Sequence, residues 1–396
     1  MVTDTTIKKR YKQTEIGVIP EDWKVKKLGE VAEIKKGQLI TDRTRINGSI
    51  PVIAGGKAPA YYHDKANRRG KTITVSGSGA NAGYVAFYTR PIFASDCSTI
   101  EESKNYSIEF IYFLLQSLQE EIYKMQTGGA QPHIHPSDLN PIMVAVPKSE
   151  EQTVIATVLS DTDALIEHLE KLIAKKKAIK QGTMQQLLTG KKRLPGFGGK
   201  WEVTNLGKVA EFVHGRGLSK SDLDEEGTCK CIHYGQLFTT YKELIQEVNS
   251  RTNKNDGCFY SQENDVLMPT SDVTPRGLAT ASCIKETGVI LGGGILVIRL
   301  HPGYDGLYFS YFVTQNKISV LKLVKGSTVF HLYANDLATL EVCFPNFQEQ
   351  IAIARVLSDM DAEIESLEQK RDKYVMLKQG MMRQLLTGTI QIYANN

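Results

Sequence analysis

Residues 151–190 read EQTVIATVLSDTDALIEHLEKLIAKKKAIKQGTMQQLLTG, and residues 349–388 read EQIAIARVLSDMDAEIESLEQKRDKYVMLKQGMMRQLLTG. They share the opening EQ, an LSD-x-D block and the closing QLLTG, at a constant offset of 198 residues (151 to 349). A second pair lies upstream: WKVKKLGEVAEIKKG at 23–37 and WEVTNLGKVAEFVHG at 201–215, offset by 178. The chain is one unit written twice, and the second copy carries about 20 more residues between its matched ends. The stretches between, roughly 38–127 and 216–325, share little. Such a chain presents two related modules to a target that itself has two parts.

The repeated blocks have the period of a helix. Ile353, Leu357, Met360, Ile364, Leu367, Tyr374, Leu377, Met381 and Leu385 fall mostly three and four apart. Ile155, Leu159, Ile166, Leu169, Ile173 and Leu187 follow the same frame, with Thr162 and Lys176 as polar interruptions. This is the heptad stripe of a coiled coil. Ser149 with Gln152, and Asn346 with Glu349, read as capping signals at the helix starts. Gly190 and Gly388 read as caps at the ends. About 35 residues at 1.5 Å each predict a rod of roughly 50 Å. One such rod would read as a generic dimerisation helix. Two matched rods in one chain favour pairing with each other, antiparallel, so that each module sits at the opposite end of its partner's helix.

The intervening regions predict short strands: KTITVSG (71–77), AGYVAFY (82–88), DVLMPT (265–270) and GILVIRL (294–300). Amphipathic helices follow at 108–126 and 306–324, then a glycine and a histidine in GGAQPHIH (128–135) and GSTVFHLY (326–333). A last strand closes each region, at 141–147 and 339–345. Both modules therefore read as α+β with largely antiparallel sheets.

The 396 residues allow two or three domains. A hydrophobic fraction of 41% and a net charge of +4 describe an ordinary globular protein and permit nucleic-acid binding without demanding it. No run approaches 18 apolar residues and the start is not a secretory signal, so a cytoplasmic protein without membrane contact is expected. Catalytic motifs are missing: there is no phosphate-binding P-loop, no dinucleotide glycine spacing, no methyltransferase motif and no nuclease cluster. Cys229 and Cys231 lack a second ligand pair and read as reduced thiols. His133 matches His331 across the repeat, whereas His135 is replaced by Tyr333. A packing or hydrogen-bonding histidine is thus preferred to a metal ligand, and no metal site is expected.

Binding features are better represented. The glycine-rich SGSGANAG (76–83) offers Ser76, Ser78 and Asn81 on a loop able to approach a base edge or a phosphate. In the second module Ser271, Thr274 and Arg276 stand in an analogous place, with Ser327 further on. Gln236, beside Tyr234, has the amide that pairs with adenine. Lys36, Lys57, Arg68, Arg69 and Lys71, and in the second module Arg216, Lys220 and Lys325, are candidate phosphate contacts.

The opening TEIGVIPEDWKVKKLGEVAEI (14–34) and the doubled EQ, LSD-x-D and QLLTG blocks resemble the specificity (S) subunits of type I restriction–modification systems over essentially the whole chain. The resemblance implies two α+β target recognition domains separated by an antiparallel coiled coil of two long helices, in a pseudo-twofold circular arrangement. The expected boundaries are 1–147 for the N-terminal segment and first recognition domain, 148–190 for the central helix, 191–345 for the second recognition domain, and 346–396 for the C-terminal helix. It implies a subunit without a catalytic site that binds a bipartite double-stranded DNA target. Two modification (M) subunits with S-adenosylmethionine and two restriction (R) subunits with ATP and magnesium would be its partners, and the chain itself would carry no cofactor. A stand-alone DNA-modifying enzyme would need a domain for which the chain is too short. A coiled-coil adaptor that ignores DNA is the remaining alternative.

Overall fold

A computed structural model describes residues 11–44 and 46–392. The chain packs into two compact units, Met1–Glu170 with Gln369–Asn396, and Lys171–Glu368. The fold is α+β, with two β-rich regions and a pair of long helices, Ser149–Leu187 and Phe347–Leu385, each of 39 residues. Each long helix contributes one stretch to each unit.

In the first unit the main sheet orders Ile34–Lys36, Cys97–Glu101, Thr72–Ser76 and Val85–Tyr88, all antiparallel. A smaller sheet joins Tyr61–His63, Ile50–Ile53 and Phe93–Ala94, and the last two run parallel. Met143–Val146 pairs with Lys24–Lys27. The predicted helix over 108–126 is broken at Leu118 into Ile108–Ser117 and Gln119–Lys124. Its buried face, with Phe110, Ile111 and Leu115, joins Ile73, Ile100 and Trp23 in one core. Ile155, Leu159 and Leu385 of the long helices enter the same core.

The second unit is built alike on different lengths. Its main sheet orders Ala210–His214, Ile295–Leu300, Val266–Pro269, Ser282–Ile284 and Leu244–Ile245, and only the last pair is parallel. A second sheet orders Arg251–Thr252, Cys229–Ile232, Ile290–Leu291 and Phe259–Tyr260. Helices Gly306–Gln315 and Lys317–Leu321 replace the single one predicted over 306–324. The strand Glu341–Phe344 pairs with Glu202–Asn205. Tyr308, Phe309 and Phe344 share a core with Leu187, Ile353 and Leu357.

Within each unit the long helices meet through charges as well as apolar side chains. Lys378 lies 2.6 Å from Asp163 in the first. In the second, Lys180 lies 2.5 Å from Asp361, Lys176 2.6 Å from Glu363 and Lys177 2.6 Å from Glu368. Ile155, Leu159, Leu169, Ile173, Leu187, Ile353, Leu357, Ile364 and Leu385 are buried. Ile166, Met360, Leu367, Tyr374 and Met381 are half-buried. Leu377 departs from the expected stripe: it is 50% exposed, and the neighbouring Lys378 turns inward instead, its ammonium 5.2 Å from the Phe113 ring centre. A lysine can bury its stem while its charge finds a carboxylate.

The helix ends are mixed in the same way. Gly190 and Gly388 take φ of 68° and 70°, the left-handed conformation of a C-terminal cap. Asn346 caps as expected, its Oδ1 accepting from Glu349 N at 3.0 Å. Gln152 does not: its Oε1 accepts from Ser107 N and its Nε2 donates to Pro147 O, both at 3.0 Å. Gln350 does the same in the second unit, with Asp305 N at 2.9 Å and Pro345 O at 2.9 Å. Ser107 and Asp305 are themselves the N-caps of the short helices. The two glutamines thus tie each long helix to the module that precedes it.

Candidate nucleic-acid interface

In the first unit the strand Thr72–Ser76 runs into the glycine-rich turn. Gly79 and Gly83 take φ of 82° and 84°, which glycine enters without strain. The returning segment folds over the turn: Gly79 N donates to Pro132 O, and Ile134 N to Gly77 O, each at 3.0 Å. The Ser78 hydroxyl donates to the Asp96 carboxylate. Asn81 is half-buried at the turn. Ser76 lies beneath it, 3% exposed, its Oγ 3.5 Å from Ala54 O.

The basic side chains of this unit divide by their partners. Lys36 and Arg69 are exposed, and the exposed Lys57 lies over the Tyr84 ring at 5.3 Å. Lys71 ion-pairs with Glu109 at 2.5 Å, and that hydrogen bond holds its ammonium pKa above the ordinary value. Arg68 bonds Thr99 Oγ1 at 3.0 Å and stands 3.4 Å from Glu101. Lys36, Lys57 and Arg69 therefore present the more available positive charge.

In the second unit Ser271–Asp272 pairs with Phe330–His331, which pairs in turn with Lys325–Gly326. Asp272 organises the turn, accepting from Val273 N and from the Thr274 hydroxyl, each at 2.7 Å. Gly277 passes so close that a β-carbon there would stand 2.0 Å from Asp272 Oδ2. Arg276 is exposed, as is Ser327 in the 325–331 hairpin. Lys325 ion-pairs with Asp336 at 2.7 Å.

Tyr234 packs over Gly294 and lies 4.7 Å from His233, ring centre to ring centre. Gln236 is tied into the same turn: its Oε1 accepts from His233 N at 2.8 Å and its Nε2 donates to Ser250 Oγ at 2.5 Å. Burial, and after it the charge of Lys220, holds the His233 imidazole pKa below its ordinary value. Lys220 itself is exposed, beside Asp222, whose carboxyl is held down to about 2 by hydrogen bonds from Ser219. Arg216 is exposed too, its backbone N–H anchored on Leu291 O at 2.9 Å.

Val273 is 72% exposed between Asp272 and Thr274, an apolar side chain that polar-residue patterns in the sequence do not single out. Among the described residues no group of three or more His, Cys, Asp or Glu is placed to hold a metal ion. Burial pushes the thiols of Cys97 and Cys283 up to about 12, so they remain protonated. Among the described residues no helix is long and apolar enough to cross a membrane.

The family model for the type I restriction modification DNA specificity domain matches residues 20–181 and again 198–373. The type I restriction enzyme MjaVIII specificity subunit of Methanocaldococcus jannaschii is 23% identical over 405 residues, covering 94% of each chain. The fold resembles the crystal structure of a type I S subunit from M. genitalium, with a TM-score of 0.67 at 18% identity over 92% of this chain and 96% of that one. A chain from a type I restriction–modification assembly gives a TM-score of 0.51 at 16% identity, over 94% of this chain and 99% of that one. With the family model matching both halves, the chain belongs to the type I restriction–modification specificity subunits, the non-catalytic components that give these complexes their DNA sequence specificity.

Proposed function

We propose that the chain reads a bipartite, asymmetric double-stranded DNA target, one half-site per recognition domain, with domains over 1–147 and 191–345. The helices of 148–190 and 346–396 form an antiparallel coiled coil that sets the spacer. The arrangement is circular and pseudo-twofold, and its helices and flanks recruit two M subunits and, through them, two R subunits. Methylation of adenine with S-adenosylmethionine then belongs to the M subunits, and ATP- and magnesium-dependent cleavage to the R subunits. The complex works in the cytoplasm, where its DNA lies.

The observation that carries this reading is the recurrence of one local geometry around two different loops. Lys378, Asp163 and Phe113 in one unit match Lys180, Asp361 and Tyr311 in the other, at the repeat offset of 198. The frame is the same, whereas SGSGANAG and PTSDVTPRG are not. The antiparallel sense is supported in each unit separately. In the second, Lys177 meets Glu368 and Lys180 meets Asp361, so one number rises as the other falls. In the first, Asp163 meets Lys378, and the earlier Ile155 and Leu159 share a core with the later Leu385.

The candidate contacts follow from exposure. Lys36, Lys57, Arg69, Arg216, Lys220 and Arg276 track phosphates. Ser78, Asn81, Ser271, Thr274, Ser327 and Tyr234 line the reading loops, Ser76 and Gln236 brace them, and Lys71 and Lys325 reach phosphate by exchanging their carboxylate partners Glu109 and Asp336 for it. Binding of the purified complex to target and unrelated duplexes at several salt concentrations tests the proposal. A preference for the target that survives rising salt is expected. Equal retention of every duplex would leave a DNA binder without sequence preference, and retention of none would leave only an adaptor.

A further inference from the structure

His133–Ile134–His135 and His331–Leu332–Tyr333 occupy the same place in the two copies of the repeat. In each, the middle residue is 1% exposed and belongs to the core of its own unit. In an extended segment residues i and i+2 point to the same side. Burying Ile134 or Leu332 therefore sets both flanking rings on the opposite side, where His133 and His331 are half-buried and His135 and Tyr333 are exposed. There they stack: the ring centres of His133 and His135 are 6.1 Å apart at 6°, and those of His331 and Tyr333 are 5.9 Å apart at 25°. Tyr333 remains 51% exposed and His135 is exposed as well, so filling the core is not their role.

Each ring pair lies against the reading loop of its own unit. Ser78 bridges His133, and Ser271 is in register with His331. A lysine accompanies each pair: Lys36 lines the same small cleft as His135, and Lys325 stands opposite His331. Asp96, which also lines the first cleft, is engaged by the Ser78 hydroxyl.

We propose that the outward ring pair is a contact to the DNA backbone shared by both modules. The rings lie along the sugars of one strand beside each half-site, and their N–H or O–H edges donate to phosphate. The inference rests on the DNA-recognition reading above and places a contact within it. The loops differ between modules and so serve what differs between half-sites. The ring pair is kept in both and so serves what the half-sites share, which is the backbone.

The test uses the complete complex with its M subunits. Its affinity is measured for the mapped target and for an unrelated duplex of equal length. His135→Ala and Tyr333→Ala should each weaken binding to both duplexes by the same factor, about five- to ten-fold, the lower end for one lost aromatic contact to nucleic acid. His135→Tyr and Tyr333→His, which exchange the residues the two modules already use, should keep wild-type affinity, and the methylated sequence should not change. Alanine variants that bind as wild type would overturn the inference. So would an altered methylation sequence at one half-site, which would make the rings base readers. A wild-type complex with no preference for its target would instead remove the DNA-recognition reading, a different outcome from either.

Discussion

Lys378 Nζ lies 2.6 Å from Asp163 Oδ1, joining the C-terminal helix to the central helix inside the first unit. The lysine side chain is 16% exposed and its ammonium also faces the Phe113 ring, so water competes for the charge only in part. The matching pair Lys180–Asp361 adds a hydrogen bond from the Tyr311 hydroxyl to Asp361 at 2.7 Å. Two polar pairs set into an apolar seam fix register in a way that leucines alone do not.

A double-mutant cycle measures this pairing. Lys378→Met and Asp163→Asn should each destabilise, and the two together should cost less than their sum, with a coupling of about 0.5–1.5 kcal/mol. Thermal melts of the four proteins provide the numbers. Strict additivity would show that the pair contributes nothing to the seam.

Glu151 and Glu349 are equivalent in the repeat and have different partners. Glu151 accepts from Trp23 Nε1 at 3.0 Å, and burial raises its carboxyl pKa above the ordinary range. A raised carboxyl favours the folded state at low pH, and that contribution is lost as pH rises through the folded value. At neutral pH the ionised Glu151 is therefore a cost. Glu151→Gln should raise Tm by roughly 1–3 °C at pH 7, with the gain fading in acid. Glu349 holds Arg193 through two contacts of 2.5 Å, so Glu349→Gln should lower Tm by several degrees. Shifts of the same sign in both variants would refute the distinction.

Much of this frame was legible because duplication gave a comparison inside one chain. The strands at 72–76, 266–269 and 295–300 and the caps at Gly190 and Gly388 lie where hydrophobic pattern and turn chemistry put them. The pattern misled where polarity and position part company. Spacing assigned Leu377 to the seam, but Lys378 fills that place because Asp163 stands opposite, and a one-dimensional period cannot see a partner 215 residues away. Gln152 looked like a cap, yet it is committed to backbone groups that only the fold brings near, and Gln236 likewise already holds His233 N and Ser250 Oγ in the free chain. His133 is half-buried beside the buried Ile134 and its ring stacks on His135, a pairing that spacing along the chain does not show.

Helix length should set spacer length. Four residues added to each long helix, after Glu170 and after Glu368, preserve the ion pairs within each unit and lengthen each rod by ~6 Å. DNA rises about 3.4 Å per base pair along each strand, so the preferred spacer should grow by one or two base pairs. An unchanged spacer in a folded, active complex would sink the idea of the helices as a ruler.

A fragment of residues 1–190 should form a symmetric dimer. Its central helix would lose its partner and expose Ile155, Leu159, Ile166, Leu169, Ile173 and Leu187, each worth about 1.5–3 kcal/mol when buried. A second copy supplies the repeat equivalents: Leu187 and Leu188 for Leu385 and Leu386, and Lys180 for Lys378 opposite Asp163. The Lys176–Glu363 pair has no counterpart, because Leu165 stands at the equivalent of Glu363, so the dimer should be weaker than the intact pairing. With M subunits it should methylate a palindrome of the first half-site. Sedimentation showing only folded monomer at high concentration would mean that the rods are not interchangeable.

Two independent readers held in one frame are tested most directly by long-read mapping of methylated adenines. Cells carrying this chain with its M subunits should show one asymmetric bipartite motif, methylated once in each half on opposite strands. Exchange of residues 216–325 for those of another specificity subunit should change one half and leave the other. A single contiguous motif, or a change in both halves on that exchange, would contradict the account.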